Sequence, residues 1–248
     1  MKKSLIILAT MLALPFAALR AQTEDEQEIT EIQLNDHYSV KLRQISASEY
    51  TARKNESEHL QHKPYKVIAD LKEAQKMLGN KLKEVTVKDE DGYERSVIEI
   101  TFKDKTKKRI SWEWGFNLDG FREYYPEVDV LVFENEAVGD YAIDLNDSKK
   151  DYERTGNPRY HAVSPDKKLR INGYYPGGAV DGALFFLEKW NPKKRKYEFI
   201  GYFENQENYV FTFIFTADYF WTSNSKAVFR LVTYPGGYYE MEIIEIEK

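Results

Sequence analysis

The spacing of the apolar residues changes its period along the chain, from helical to alternating. In residues 65–78 the apolar positions recur every three or four residues and a Gly-Asn pair follows, which predicts one helix in this segment. A Ser-Ala-Ser-Glu sequence at residues 46–49 has the spacing of a capping box and predicts the start of a short helix. From Glu84 onward apolar and polar residues alternate, as they do in half-buried strands.

The alternation predicts a β-hairpin and then a series of further strands. Ile98, Ile100 and Phe102 share one face of the first arm, and a lysine-rich turn separates this arm from a second one at residues 109–114. Further alternating segments, bounded by turn-forming residues, follow at residues 128–134, 140–145, 160–163, 169–175, 183–190, 196–203, 210–221, 227–234 and 238–246. We therefore expect a mainly β fold, an antiparallel meander with one helix in the N-terminal half.

The C-terminal part of the chain contains an internal repeat. Residues 160–189 align without a gap with residues 219–248, and both copies carry a Tyr-Pro-Gly-Gly block and a Glu-Lys end. Proline presets φ and glycine accepts a positive φ, so this block suits a turn between two strands. Such a unit needs neighbours to bury both of its faces. The meander is therefore expected to consist of a repeated multi-strand unit, in a propeller-like or a sandwich arrangement.

The first copy of the repeat also resembles the unit of a known fold. The sequence His-Ala-Val-Ser-Pro-Asp-Lys-Lys-Leu at residues 161–169, with the strand patterns after it, resembles a blade of the TolB-type β-propellers over residues 160–203. Blades of that family often carry a Ser-Pro-Asp-Gly-Lys turn, whereas Lys167 stands here in place of the glycine. The resemblance implies four antiparallel strands in this segment. A complete propeller needs at least four blades, which this length barely allows, so an incomplete propeller-like meander and a β-sandwich both stay open.

The N-terminus has the three parts of a secretory signal peptide. Two lysines precede an apolar run at residues 5–14, and small residues lead to a cleavage site that we place after Ala21. The run is shorter than the ~20 residues that cross a bilayer, so we expect a secreted or periplasmic protein without a membrane anchor, with an N-terminal anchor as the alternative. The predicted organisation is a signal peptide at 1–21, a flexible leader at 22–28, a mixed helix and β region at 29–159, and the duplicated β region at 160–248 packed with it as one domain.

Composition and charge exclude several classes of protein. The 248-residue chain is 31% charged and 42% hydrophobic, with a mean hydropathy of −0.63, which excludes a disordered chain and a polytopic membrane protein. The formal net charge is −5, and loss of the signal peptide leaves 33 basic against 41 acidic residues, a charge of −8, so nucleic acid is not an expected partner. The absence of cysteine excludes disulfides, thiolate metal sites and cysteine nucleophiles. No cofactor is expected.

No set of residues in the sequence forms a convincing catalytic or metal site. His59 and His62 are three residues apart, but the glutamate of a His-Glu-x-x-His zinc site is missing, so no metal site is predicted. His161, Ser164 and Asp166 lie too close together in one turn to converge as a triad, and no Gly-x-Ser-x-Gly elbow occurs. No catalytic residue is therefore predicted. Acidic residues are numerous, which keeps a carboxylate-based extracellular glycoside hydrolase open as an alternative function.

Aromatic residues are the strongest candidates for a binding surface. Residues 160–248 hold 21 of the 36 aromatic side chains, most of which we expect in the core. The pairs Tyr174 with Tyr175 and Tyr238 with Tyr239 stand beside turns, where alternation directs one member of each pair away from the core. With Trp190, these four tyrosines are the predicted binding residues.

The leading hypothesis is thus an exported, non-enzymatic binding or interaction module for a glycan or a protein. The hydrolase is the alternative from the class of enzymes. A third hypothesis is an inhibitor or protective partner that neutralises another exported protein through its acidic surface.

Overall fold

The protein is mainly β in a computed structural model. The structure describes residues 29–110, 120–135, 139–177, 182–203, 216–231 and 236–246, so the predicted signal peptide and leader lie outside the described residues. All strand pairings in the described ranges are antiparallel, and the strands form four sheets that do not close into a barrel. The predicted fold class is confirmed, in the form of a sandwich-like meander.

The part of the chain that the structure describes contains fifteen strands and three short α-helices. The strands in chain order are β1 (Ile29–Asn35), β2 (Tyr38–Ile45), β3 (Leu82–Lys88), β4 (Glu94–Thr101), β5 (Lys107–Ile110), β6 (Phe121–Tyr125), β7 (Val130–Asn135), β8 (Gly139–Asp144), β9 (Ala162–Val163), β10 (Leu169–Tyr174), β11 (Leu184–Asn191), β12 (Lys196–Tyr202), β13 (Thr216–Trp221), β14 (Lys226–Leu231) and β15 (Gly237–Glu245). The helices are α1 (Ala47–Ser57), α2 (Leu71–Leu78) and α3 (Tyr152–Thr155), and 3₁₀ turns occupy Glu58–Leu60, Gly79–Lys81 and Pro158–Tyr160.

Two larger and two smaller sheets make up the fold. The five-stranded sheet has the order β1-β2-β15-β14-β13 and so combines strands from both ends of the described chain. The four-stranded sheet has the order β12-β11-β10-β9, which matches the four antiparallel strands that the TolB-type resemblance implies. The three-stranded sheets are β3-β4-β5 and β6-β7-β8, and the first of them contains the predicted hairpin up to Ile110.

Two hydrophobic cores hold the sheets together. The main core lies between the five-stranded and four-stranded sheets, where Val40 and Phe229 of one meet Ile171 and Leu187 of the other. A second core joins α2 to the two three-stranded sheets. Complete burial of one such aliphatic or aromatic side chain contributes about 1.5–3 kcal/mol, so these clusters supply the main driving force for the arrangement. One face of each large sheet is buried in the main core, and the opposite face contacts other parts of the chain or solvent.

The helix starts follow the local sequence. Ser46 caps α1 as predicted, because its hydroxyl accepts from the Glu49 N–H at 3.2 Å while a Glu49 carboxylate oxygen accepts from the Ser46 N–H at 2.9 Å. The second helix begins later than the apolar spacing predicts, at Leu71 rather than at residue 65, because Ile68 pairs with Tyr124 in a β-bridge. Residues 65–69 are therefore not helical, and the Tyr65 ring lies 5.6 Å from that of His161, just before β9 of the four-stranded sheet.

The two copies of the repeat share their strand order but not their register. Both consist of three consecutive antiparallel strands, β9-β10-β11 and β13-β14-β15. Tyr174 pairs with Leu184 in the first copy, whereas Leu231 pairs with Gly237 in the second, so the connection is shorter in the second copy. The gapless sequence alignment therefore does not hold through the third strand.

Candidate binding site

The two predicted tyrosines at the end of β10 differ in exposure. Tyr174 is only 5% exposed, and its ring packs against Tyr152 at 6.2 Å and beside Tyr202. Burial raises the pKa of the Tyr174 hydroxyl above its ordinary value. Tyr175 is half-buried, and its backbone N–H donates to Asp140 Oδ2 at 3.1 Å. Tyr175 is therefore the member of this pair that lies closer to solvent.

The second predicted pair lies on the five-stranded sheet. The Tyr238 ring packs against Tyr50 of α1, with their centroids 4.6 Å apart. Helix α1 therefore covers the outer face of the sheet at this point, where Phe220 and Val228 are also buried. Tyr239 points the opposite way and packs against the main core. These two tyrosines are half-buried and are not brought together with Trp190, which lies on the four-stranded sheet.

Trp190 is the most exposed of the five predicted residues, at 37%. Its ring lies on β11, 5.2 Å from the ring of Tyr197 on β12, and the two planes meet at 64°. The guanidinium of Arg170 on β10 stacks on the Tyr197 ring at 4.3 Å from its centroid. Burial is the largest influence on Tyr197 and raises the pKa of its hydroxyl to about 12. The outer face of the four-stranded sheet thus presents a rigid aromatic corner.

A buried ion pair between Arg170 and Glu188 holds the guanidinium that stacks on Tyr197. Arg170 Nε and Nη2 each lie 2.6 Å from Glu188 Oε2, and both residues are at least nine-tenths buried. Asn172 Nδ2 donates to the same oxygen at 3.1 Å, and Lys150 Nζ approaches Glu188 Oε1 at 3.9 Å. Burial lowers the pKa of the Lys150 ammonium. Several donors therefore converge on one carboxylate, which fixes the position of the Arg170 guanidinium.

The ion pair also connects the corner to a second group of rings. Arg170 interacts with the hydroxyl of Tyr65, and its Nη1 lies 3.4 Å from His161 Nδ1. The Tyr65 ring is 5.6 Å from that of His161 and 5.3 Å from that of the exposed His62. We call Trp190, Tyr197, Tyr65 and His62 the aromatic strip.

His161 is held in its neutral form. Burial, together with the positive charges of Arg170 and Lys150, lowers the pKa of the imidazole well below its ordinary value. Arginine can only donate, so the Nδ1 that faces Arg170 is the acceptor and the proton of the neutral ring lies on Nε2. That nitrogen is closed off from solvent, and the side chain of Asn172 also hydrogen-bonds to the imidazole.

A polar cleft of about 450 Å³ adjoins the His62 end of the aromatic strip. It lies between the end of α1, the extended segment after it, the start of β9 and strand β13. Its wall combines donors, acceptors and rings, among them Glu58, Gln61, His62, Arg159, His161 and Asp218. Positive and negative side chains are both present, so the cleft suits a polar ligand that offers donors as well as acceptors.

His161, Ser164 and Asp166 do not come together as a catalytic triad. Ser164 Oγ donates to Asp166 Oδ1 at 2.8 Å and accepts from the Leu169 N–H at 3.0 Å, which is a turn arrangement, while His161 faces Arg170 and Tyr65 instead. Within the described ranges, no three His, Asp or Glu side chains form a group that could hold a metal ion.

Several residues of this site were missed by sequence reasoning. Arg170 and Glu188 interrupt apolar strands, and a charged residue at an alternating position next to buried ones is the signal that could have marked them. The apolar spacing places Tyr65 in a helix, and no local sequence signal identifies Gln61 or Tyr197 as part of a site.

Comparison with known proteins adds no relative: no family model, curated protein or solved structure matches this chain. No helix in the described part of the chain is both long and apolar enough to span a membrane.

Proposed function

We propose that this protein is an exported, non-enzymatic glycan-binding module, with the aromatic strip and the adjoining cleft as its binding site. The observation that carries the proposal is the corner of Trp190 and Tyr197, which is exposed on one side and held by the Arg170–Glu188 pair on the other. A ring that is fixed before binding loses little conformational freedom when a sugar stacks on it. The export part of the proposal depends on the N-terminal sequence.

The cleft supplies the polar half of such a site. Sugar hydroxyls donate and accept hydrogen bonds at once, and the wall offers both kinds of partner through Glu58, His62 and Arg159. The ring faces of the strip would receive the less polar C–H face of each sugar unit. A short stretch of glycan could then extend from Trp190 to the cleft.

A hydrolytic function is less well supported by the same residues. Glu58 and Asp218 are the two carboxylates in the cleft wall. Asp218 Oδ2 accepts from the Tyr50 hydroxyl at 2.9 Å and pairs with the Lys54 ammonium. Asp218 is thus engaged by a hydroxyl and an ammonium group of the protein itself, whereas a glycosidase requires two carboxylates that both face the scissile bond. Binding without hydrolysis is therefore the better match.

A glycan array followed by calorimetric titration tests the proposal. Trp190→Ala and Tyr197→Ala are expected to weaken binding of the best glycan by about tenfold each, as for the aromatic anchors of other interfaces. Tyr93→Ala is the matched control, because Tyr93 is 68% exposed and lies in the turn between β3 and β4. Binding that depends equally on all three rings, or hydrolysis of the bound glycan, would contradict the proposal.

A further inference from the structure

Two turns of the four-stranded sheet lie side by side next to Trp190. The Trp190 N–H donates to the Lys168 carbonyl at 2.7 Å, and the Tyr197 hydroxyl donates to the Lys167 carbonyl at 2.8 Å. These bonds join the turn between β9 and β10 to the strands on either side of the turn between β11 and β12. The tips of both turns therefore border the exposed end of the aromatic strip.

Both turns are strongly basic in a chain whose overall charge is negative. Two basic residues of these turns form ion pairs, Lys168 with Asp166 and Lys194 with Glu198, and so does Lys196 at the start of β12, with Asp147. The other three, Lys167, Lys193 and Arg195, are exposed and form no ion pair with any residue that the structure describes. We call these three residues the basic tips.

Two of the basic tips occupy a backbone conformation that is costly for a side chain. Lys167 has φ of 61° and Arg195 has φ of 55°, in the left-handed region that glycine adopts without strain. Glycine would relieve this strain at both positions. Lys167 and Arg195 each supply a positive charge at these positions, which glycine cannot.

From these observations we infer that the glycan bound by this protein is acidic, with its carboxylate or sulfate groups held by the basic tips. The inference rests on the proposed function, since the sugar ring is placed against Trp190. Exposed ammonium and guanidinium groups form charge-assisted hydrogen bonds with such anions, and a ring between them orients the sugar. Carboxylate and sulfate groups would bind the basic tips in the same way, so an experiment must distinguish a carboxylated glycan from a sulfated one.

The test is a glycine variant that removes charge and strain together. Lys167→Gly with Arg195→Gly is expected to raise Tm by about 2–4 °C and to weaken binding of polygalacturonate or heparin by about tenfold. Its matched control is Lys105→Gly, because Lys105 has φ of 72° in the turn of a different sheet. The control is expected to gain stability and to keep full affinity. The affinity should also fall between about 0.05 M and about 0.5 M NaCl.

The outcomes separate this inference from the proposed function. Binding of polygalacturonate but not heparin, or the reverse, supports the inference and identifies the acidic group. Equal binding of neutral dextran and the acidic glycans, unchanged in the glycine variant, would overturn the acidic preference while Trp190→Ala still tests glycan binding. Binding to phosphatidylglycerol vesicles or duplex DNA without any glycan would overturn both. Failure to bind any of these probes would also overturn both.

Discussion

The side-chain amide of Gln61 pairs with the backbone of Trp221 as a neighbouring strand would. Gln61 Nε2 donates to the Trp221 carbonyl at 2.8 Å, and the Trp221 N–H donates to Gln61 Oε1 at 3.2 Å. Trp221 lies at the end of β13, which is the edge strand of the five-stranded sheet. One side chain thus satisfies both polar groups of an edge residue and fixes the wall of the cleft.

Replacing Gln61 by leucine should destabilise the protein. The change leaves the N–H and the carbonyl of Trp221 without these partners, and each group left unsatisfied costs about 1–3 kcal/mol where water does not replace the bond. Urea unfolding measures the loss. Gln44→Leu, at an exposed position of β2, serves as the control and should change the free energy of unfolding little. An unchanged midpoint in the Gln61 variant would show that water substitutes for the amide.

Removing only one partner of the buried Arg170–Glu188 pair should cost more stability than removing both. Glu188→Leu alone leaves the Arg170 guanidinium buried without its counter-charge and should cost about 3–5 kcal/mol of unfolding free energy. The double variant Arg170→Met with Glu188→Leu should recover most of that loss, because the guanidinium is removed with its counter-charge and Lys150 keeps Asp144 at 4.0 Å. Urea unfolding of the single and double variants tests the pair. A double variant no more stable than the single one would contradict this account.

His161 should make stability depend on pH. The native pKa of His161 lies well below the ordinary value of 6.5, so the unfolded state binds the proton more readily. Its contribution is fully present above about pH 6.5 and is lost as pH falls towards the native pKa, at a limit of about 1.4 kcal/mol per pH unit. The difference in unfolding free energy between wild type and His161→Gln, followed from pH 7.5 to 5.5, isolates this effect.

The exposed His59 provides the control for that experiment. His59→Gln replaces an exposed imidazole in the turn after α1, and its pH profile is the baseline against which the change at the buried ring of His161 is read. Parallel pH profiles for wild type and His161→Gln would show that His161 is protonated alike in both states.

Tyr238 should matter for stability because it holds α1 on the sheet. Its ring contacts Tyr50, which also packs edge-on against Phe220 at 5.4 Å. Tyr238→Ala removes a half-buried ring from this contact and should cost about 1–3 kcal/mol, less than the truncation of a fully buried aromatic residue. Thermal unfolding measures the effect. A wild-type Tm in this variant would mean that the other contacts of Tyr50, with Phe220 and Asp218, are enough to hold α1 on the sheet.

Local sequence signals account for the elements but not for the site. The Ser46 capping box predicts the start of α1 because both of its hydrogen bonds are local. Alternation predicts the strands and the position of Trp190, since it depends only on neighbours in sequence. It cannot tell that Tyr238 is covered by α1, nor that residues 61–68 cross to Trp221 and Tyr124, because those contacts join distant segments.

The central claim is that the corner of Trp190 and Tyr197 binds glycan. Titration of wild type and Trp190→Ala with the highest-ranking glycan of an array, alongside Tyr93→Ala, tests this most directly. We expect an affinity about tenfold weaker for Trp190→Ala, with a native circular dichroism spectrum at the assay temperature, and wild-type affinity for Tyr93→Ala. Equal affinity of all three proteins, or no glycan bound by the wild type, would contradict this claim.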